Sequence, residues 1–163
     1  MKIAIISDIH DNLVNLKKFL LWTHDNKAES IICCGDLTNS ETLNVLASGF
    51  DGSIYLAKGN MELYSEKDLE RYDNIEHGGK QACFKIDETM FGLCHEPLYI
   101  DKILKNDKPA IIFYGHTHKP WIEERNGIKV VNPGTLGGMF SRATFAVWDT
   151  DKKGLELKIL DLI

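Results

Sequence analysis

Four apolar runs divide the chain: Ile3 to Ser7, Ile31 to Cys34, Ile54 to Ala57 and Ala110 to Tyr114. Each is short and unbroken, as expected of a strand covered on both faces. Between the first two, Leu13, Leu16, Phe19, Leu20 and Trp22 recur at near-helical spacing. That pattern predicts an amphipathic helix over Asn12 to Asn26, with its apolar side on a sheet. Ser40 is placed to cap a second helix running to Ser48, with Gly49 as its stop. Ser65-Glu66-Lys67-Asp68 has the form of a capping box opening a short polar helix. The first third therefore reads βαβαβ.

The remainder changes character. Gln81 to Ile86 and Met90 to Cys94 flank Asp87-Glu88-Thr89, which predicts a hairpin. Pro97 to Asn106 reads as a helix with proline in its first turn. Trp121 to Arg125 and Ile128 to Val131 surround Asn126-Gly127, a strong hairpin signal. Thr144 to Thr150 and Leu155 to Leu162 form a last hairpin around Asp151 to Gly154. The second part is expected to be mostly antiparallel. Together the elements predict an α/β fold, two packed sheets with helices outside, in one domain over residues 1–163.

Composition narrows the classes. The net charge of −5 gives no basic footprint for nucleic acid, so stable nucleic-acid binding is not expected. Lys102, Lys105 and Lys108 read as one solvated helix face. Cys33, Cys34, Cys83 and Cys94 show no C-x-x-C spacing and all lie in apolar runs. They read as small core residues of a reducing compartment, with the adjacent pair pointing to opposite faces of its strand. The apolar run before Asp8 is too short for a signal peptide, and no stretch reaches the ~18 apolar residues of a membrane span. A soluble cytoplasmic protein is the expectation.

The chemistry lies where the strands end. Asp8-Ile9-His10, Gly35-Asp36, Gly59-Asn60 and Gly115-His116-Thr117-His118 each follow an apolar run, and His95 follows Met90 to Cys94. Taken singly, each residue has a plainer role, as a turn carboxylate, a cap or a loop histidine. Taken together, they fall on the loops that converge at the carboxyl edge of an α/β sheet. Glycine stands directly before Asp36, Asn60 and His116, where it permits a tight turn and close backbone approach. Seven oxygen and nitrogen ligands on one edge suit two divalent metals, an arrangement typical of phosphate-ester hydrolysis.

The ordered set Asp-x-His, Gly-Asp, Gly-Asn and Gly-His-x-His resembles the calcineurin-like metallophosphoesterase superfamily. The opening MKIAIISDIHDN and the late NPGTLGG make it similar to the small bacterial and archaeal phosphodiesterase branch. The resemblance spans essentially the whole chain. It implies a four-layer α/β/β/α sandwich with mixed sheets. It implies that Asp8, His10 and His118 hold one metal, that Asn60, His95 and His116 hold a second, and that Asp36 bridges them. A metal-bridged hydroxide is then the nucleophile, with Asn60 and His95 counted among the catalytic residues. Manganese is the activator the family suggests, and nickel, iron, zinc, cobalt and magnesium are compatible with the same ligand types.

Two positions depart from that pattern. Many relatives follow the metal-binding asparagine with a histidine that protonates the leaving group, but here Met61 and then Glu62 follow Asn60. Methionine carries no proton, so diesters with good leaving groups are expected to be better substrates than monoesters. Glu62 reads as an orienting carboxylate behind the ligands. Where relatives show His-Gly-His, this chain has His95-Glu96-Pro97. Glu96 reads either as an acid near the site or as a helix N-terminal glutamate. Asn12 and Arg142 are candidate substrate contacts, with a surface arginine as the plainer reading of Arg142. His24 and His77 match no motif and are assigned to a helix end and a surface loop. Trp22, Trp121 and Trp148 read as core or strand-face residues.

The leading reading is a phosphodiesterase acting on a small diester. A dimer is common in relatives, so a homodimer is one assembly open to this chain, but no residue here proves it. The alternatives are a catalytically idle scaffold on the same fold, such as the retromer subunit that resembles this family, and a phosphomonoesterase or nucleotide-processing enzyme.

Overall fold

The computed structural model describes residues 1–152 and 154–163, leaving residue 153 of the expected 151–154 loop outside the described residues. Eleven strands, four α-helices and two 3-10 turns follow one another. The first part runs β1 (Lys2–Ile6), α1 (Leu13–Asp25), β2 (Ser30–Cys33), α2 (Ser40–Ser48), β3 (Ser53–Leu56), α3 (Glu66–Leu69) and β4 (Ile75–His77). The second runs β5 (Gln81–Ile86), β6 (Thr89–Cys94), a 3-10 turn (Pro97–Tyr99), α4 (Ile100–Asn106), β7 (Ile111–Phe113), β8 (Trp121–Arg125), β9 (Ile128–Asn132), β10 (Thr144–Asp149), β11 (Gly154–Ile159) and a closing 3-10 turn (Leu160–Leu162).

The strands form a six-stranded sheet, β11-β10-β1-β2-β3-β4, and a five-stranded sheet, β5-β6-β7-β9-β8. Period-two alternation on buried strands explains how they stack. On β1, Ala4 and Ile6 face one way and pack with Leu16, Phe19, Leu43 and Leu46 of the first two helices. Ile3 and Ile5 face the other way and meet Phe91, Phe113 and Val131 of the second sheet. The outer face of that sheet presents Ile112 and Val130 to Ile100, Ile103 and Leu104 of α4. Three apolar interfaces thus separate four layers, helix, sheet, sheet and helix, as expected. Cys33 and Cys34 fall in different interfaces, as their adjacency on an extended run requires.

The second sheet is more parallel than the sequence suggests. β6 and β7 pair in parallel, as do β7 and β9, while only the outer pairs β5–β6 and β8–β9 are antiparallel. The reason is α4, which carries the chain back across the sheet between β6 and β7. The short β4, parallel to β3, is also absent from the sequence reading, and it takes His77 off the surface-loop assignment. His77 is half-buried on that strand with no partner for Nε2, and burial pulls its pKa below the ordinary value.

Local signals largely hold. Asn126 and Gly127 both take positive φ, 54° and 77°, as a type I′ hairpin turn needs. Asp68 Oδ2 accepts from Ser65 N at 2.8 Å and Ser65 Oγ at 2.9 Å. The cap of α2 is Asn39 rather than Ser40, because the Asn39 side chain accepts from Glu41 N and Thr42 N. The expected helix after Pro97 begins as a 3-10 turn, and the last strand ends at Ile159 rather than Leu162. Trp148 is buried between the sheets, while Trp121 is largely exposed on a strand face.

Phe91 sits at the centre of the inter-sheet layer, fully buried. Its ring lies 5.3 Å from Tyr55, 5.8 Å from Phe84, 6.1 Å from Phe113 and 6.3 Å from Trp148, centroid to centroid. It joins strands of both sheets through one aromatic cluster. Phe91→Ala is expected to destabilise the protein by about 3–5 kcal/mol in urea unfolding, since the hole left there has stiff walls on every side.

Candidate metal centre

The loops after β1 and β2 run side by side. Asp8 N donates to Gly35 O at 3.0 Å, and Ile9 N and His10 N both donate to Asp36 O at 2.9 and 3.0 Å. The parallel pairing of the strands is thereby carried past their ends into the ligand segments. The turn over residues 132–137 closes the opposite side. Leu136 N donates to Ser7 O, Gly137 N to Asp8 O, and Thr135 Oγ1 to Asp8 O. Asn132, fully buried, donates to Gly115 O at 2.8 Å and Thr117 Oγ1 at 3.0 Å, which fixes the loop that carries His116 and His118.

Backbone strain concentrates here. Asp8, His10, Asp36, His116 and His118 all have positive φ, between 45° and 69°. Such values are uncommon for residues with a side chain and persist only where the surroundings impose them. The close approach of the loops imposes them. A Cβ on Gly59 would collide with Oδ1 and N of Asp36, and one on Gly115 with Ser7 Oγ.

All seven expected ligands converge. Asp8 Oδ1 lies 3.2 Å from His118 Nε2 and 3.8 Å from His10 Nε2, and those two imidazole nitrogens face each other at 3.2 Å. Asp36 Oδ2 lies 3.7 Å from His10 Nε2 and 3.3 Å from His95 Nε2. Asn60 Oδ1 lies 2.9 Å from both His95 Nε2 and His116 Nδ1. Asp8 and Asp36 are buried, His95 is almost fully buried, and His116 is exposed at the rim.

Each carboxylate is divided between two tasks. Asp8 Oδ2 accepts from His116 N at 3.0 Å and Asp36 Oδ1 from Met61 N at 2.9 Å. The second oxygen of each, Asp8 Oδ1 and Asp36 Oδ2, is turned to the imidazoles. His95 Nδ1 lies 2.8 Å from Cys34 O, which requires that nitrogen to donate and leaves the lone pair on Nε2. Burial alone would push Asp36 up and His95 down in pKa. The ion pair and hydrogen bond between them reverse both shifts, so Asp36 is lowered and His95 raised. His10 is raised as well, chiefly by the Asp8 carboxylate beside it. The site therefore draws positive charge into its centre.

These residues fit divalent cations. Asp8 Oδ1 is buried with no hydrogen-bond donor, a costly state for a carboxylate that a bound cation relieves. Two groups of donor atoms each lie within 4.8 Å of one another: Asp8, His10 and His118, and Asp8, Asp36 and His95. Carboxylate, imidazole and amide oxygen together match first-row divalent ions rather than thiolate-bound zinc.

Glu62 takes the place assigned to it behind the ligands. Its Oε1 accepts from Leu37 N at 3.3 Å and Gly59 N at 3.2 Å, and Oε2 accepts from Thr38 N at 2.9 Å. One carboxylate thus clamps the loop of Asp36 to the loop of Asn60. Asn12 has a bracing task. Its oxygen caps α1 at Asn15 N and its amide donates to Gly137 O at 2.8 Å, which leaves one N–H for any substrate. Arg142 is exposed, is absent from the ion pairs of the described residues, and is not drawn into the ligand cluster. Glu96 precedes the 3-10 turn of Pro97–Tyr99, where its carbonyl accepts from Tyr99 N. Asp11 is a brace the sequence reading missed: its Oδ1 accepts from Thr42 Oγ1 at 2.6 Å and Asn39 N at 3.1 Å, tying the first ligand loop to α2.

Comparison with known proteins agrees with this geometry. Phosphodiesterase MJ0936 of Methanocaldococcus jannaschii is 29% identical over 159 residues, covering 94% of this chain and 95% of that protein. Phosphodiesterase YfcE of Escherichia coli K12 is 25% identical over 172 residues, covering 93% and 89%. A solved archaeal phosphodiesterase structure superposes with a TM-score of 0.87 at 26% identity over 98% of this chain and 99% of that one. The sequence model of the calcineurin-like phosphoesterase superfamily domain matches residues 1–153, a span that takes in all seven candidate ligands, and the chain belongs to that superfamily.

Proposed function

We propose that this chain is a metal-dependent phosphodiesterase that hydrolyses a small phosphodiester. Asp8, His10 and His118 would hold one divalent cation and Asn60, His95 and His116 a second, with Asp36 shared between them. The observation that carries this reading is the position of Asp36 Oδ2, buried and placed within 3.7 Å of His10 Nε2 and 3.3 Å of His95 Nε2. It faces one imidazole of each set while its other oxygen is held by Met61 N. The relatives named phosphodiesterase support the same reading. Bound divalent cations neutralise phosphoryl oxygens and lower the pKa of a coordinated water to near neutrality. Manganese fits this donor set and is the ion chosen for the tests below.

This chain's own residues fix the rest. The backbone N–H groups of Met61 and His116 set the carboxylate planes, and Cys34 O sets the tautomer of His95. At the position after Asn60, where a leaving group would need a proton, Met61 offers a half-exposed thioether with none to give. A diester with an acidic alcohol leaves without such help. Metal-stripped protein with Mn²⁺ restored is therefore expected to turn over bis-p-nitrophenyl phosphate at least ~10-fold faster than p-nitrophenyl phosphate. The reverse order in kcat/KM would show that another group supplies the proton.

Asp36→Asn removes the shared charge. Its activity is expected to fall at least ~100-fold. The wild-type protein should gain about 2.7 kcal/mol of stability at a hundredfold excess of Mn²⁺ over Kd, and the variant should lose most of that gain in a thermal melt.

Glu62→Ala leaves three backbone N–H groups without their carboxylate. A loss of about 3 kcal/mol in urea unfolding is expected, together with weaker Mn²⁺ binding in a titration, although no ligand has been touched. Unchanged metal affinity would separate Glu62 from the centre.

A further inference from the structure

A second built feature lies on the same edge of the molecule. The segment after Thr135 is anchored on the first ligand loop. Gly137 N donates to Asp8 O, the Asn12 and Asn15 amides donate to the carbonyls of Gly137 and Leu136, and a Cβ on Gly137 would meet Ile9 O at 2.6 Å. From that base the chain turns through Gly138, with φ of 73°, and presents Met139 and Phe140. Phe140 is 99% exposed, and its own φ is 61°. A large ring held in water on a left-handed backbone is unfavourable twice over, by strain and by lost burial. No packing in the fold compensates for it.

The residue nonetheless borders the centre. Met139, Phe140 and Ser141 line a depression of about 330 Å³ together with His116, Thr117 and His118. Its volume lies in the range of small-ligand sites, and no carboxylate lines it. Two of the proposed metal ligands and an apolar pair therefore line the same depression. An ester whose phosphoryl end lies against His116 and His118 directs an organic group along this depression. A flat ring beside a flexible thioether suits a planar group, through offset stacking and sulfur–ring contact.

We propose that Met139 and Phe140 form a specificity subsite that seats a planar aromatic group, aryl or heteroaryl, of the phosphoester. This rests on the reading of the ligand cluster as a phosphate site. The subsite selects among substrates and takes no part in the chemistry.

Calorimetric titration of the manganese-loaded protein with phenylphosphonate and methylphosphonate tests it without relying on turnover. The wild-type protein is expected to bind phenylphosphonate about tenfold more tightly than methylphosphonate. Phe140→Ala should reduce that preference to about twofold or less while leaving methylphosphonate binding unchanged, and Phe140→Tyr should restore it. Phe140 is almost fully exposed, so the variants should remain folded. Equal binding of the two phosphonates by the wild type, or a preference that survives Phe140→Ala, overturns the subsite alone. Failure of both phosphonates to bind overturns the phosphate-site reading and the subsite with it.

Discussion

Two buried carboxylates govern this structure. Asp8 and Asp36 offer donor atoms within 4.8 Å of one another, at the one edge where both parallel loops end. Like charges placed so close in a protected site repel, and each also loses its hydration. The backbone N–H groups of His116 and Met61 satisfy one oxygen on each. The remaining oxygens require positive charge. In its absence the surrounding histidines supply part of it, which is why His10 and His95 hold their protons more tightly than an ordinary imidazole. Bound divalent cations would answer the same need more completely, which would make metal binding and the integrity of this edge one problem.

The rest of the fold can be read as the means of holding that unfavourable arrangement. Five ligands sit at positive φ, a cost set against the rigidity of two sheets packed face to face. The strands beneath them are covered on both faces, and their parallel pairing continues into the loops as backbone hydrogen bonds. The braces come from outside the ligand set. Glu62 ties the second loop to the third, Asp11 ties the first to α2, Asn132 fixes the histidine pair, and Thr135 fixes Asp8. Each makes at least one hydrogen bond to backbone, and Asp11 and Asn132 add one to a threonine hydroxyl, so position passes largely through the main chain.

The convergence of the seven candidate ligands was legible in the sequence because each follows a strand that its own apolar run announces, and because glycine marks the closest approaches at Asp36, Asn60 and His116. The layers were legible for a related reason: unbroken apolar runs require cover on both faces. What the sequence did not carry was pairing direction. β6 and β7 are parallel because α4 carries the chain back across the sheet, and β9 is parallel to β7 because β8, which precedes it, runs the opposite way; a seven-residue helix leaves too short a pattern to distinguish a crossover from a loop. β4 spans three residues and has no period to detect. Asp11 and Asn132 carry no local signal of their bracing roles, which depend on partners 31 and 17 positions away. Asn39 displaced Ser40 as a cap by a single residue, a distinction propensity does not resolve because both types cap well.

The exposed residues beside the ligands obey a different logic. Met61 follows Asn60 directly, and Met139 and Phe140 end the segment that rests on Asp8. None of the three packs into the three apolar interfaces, so substitution there costs little stability. The ligands have no such freedom, because strain, burial and charge over-determine them. On the proposed reading, reaction and substrate choice are physically separated on one edge of the molecule. The strained loops would fix where phosphorus sits, and the exposed side chains would fix whether a leaving group receives a proton and which organic group fits beside it. Met61 would then withhold the first kind of help and Phe140 would supply the second kind of contact. Together they would favour a diester whose planar, acidic alcohol needs no proton to leave and gains binding from a ring.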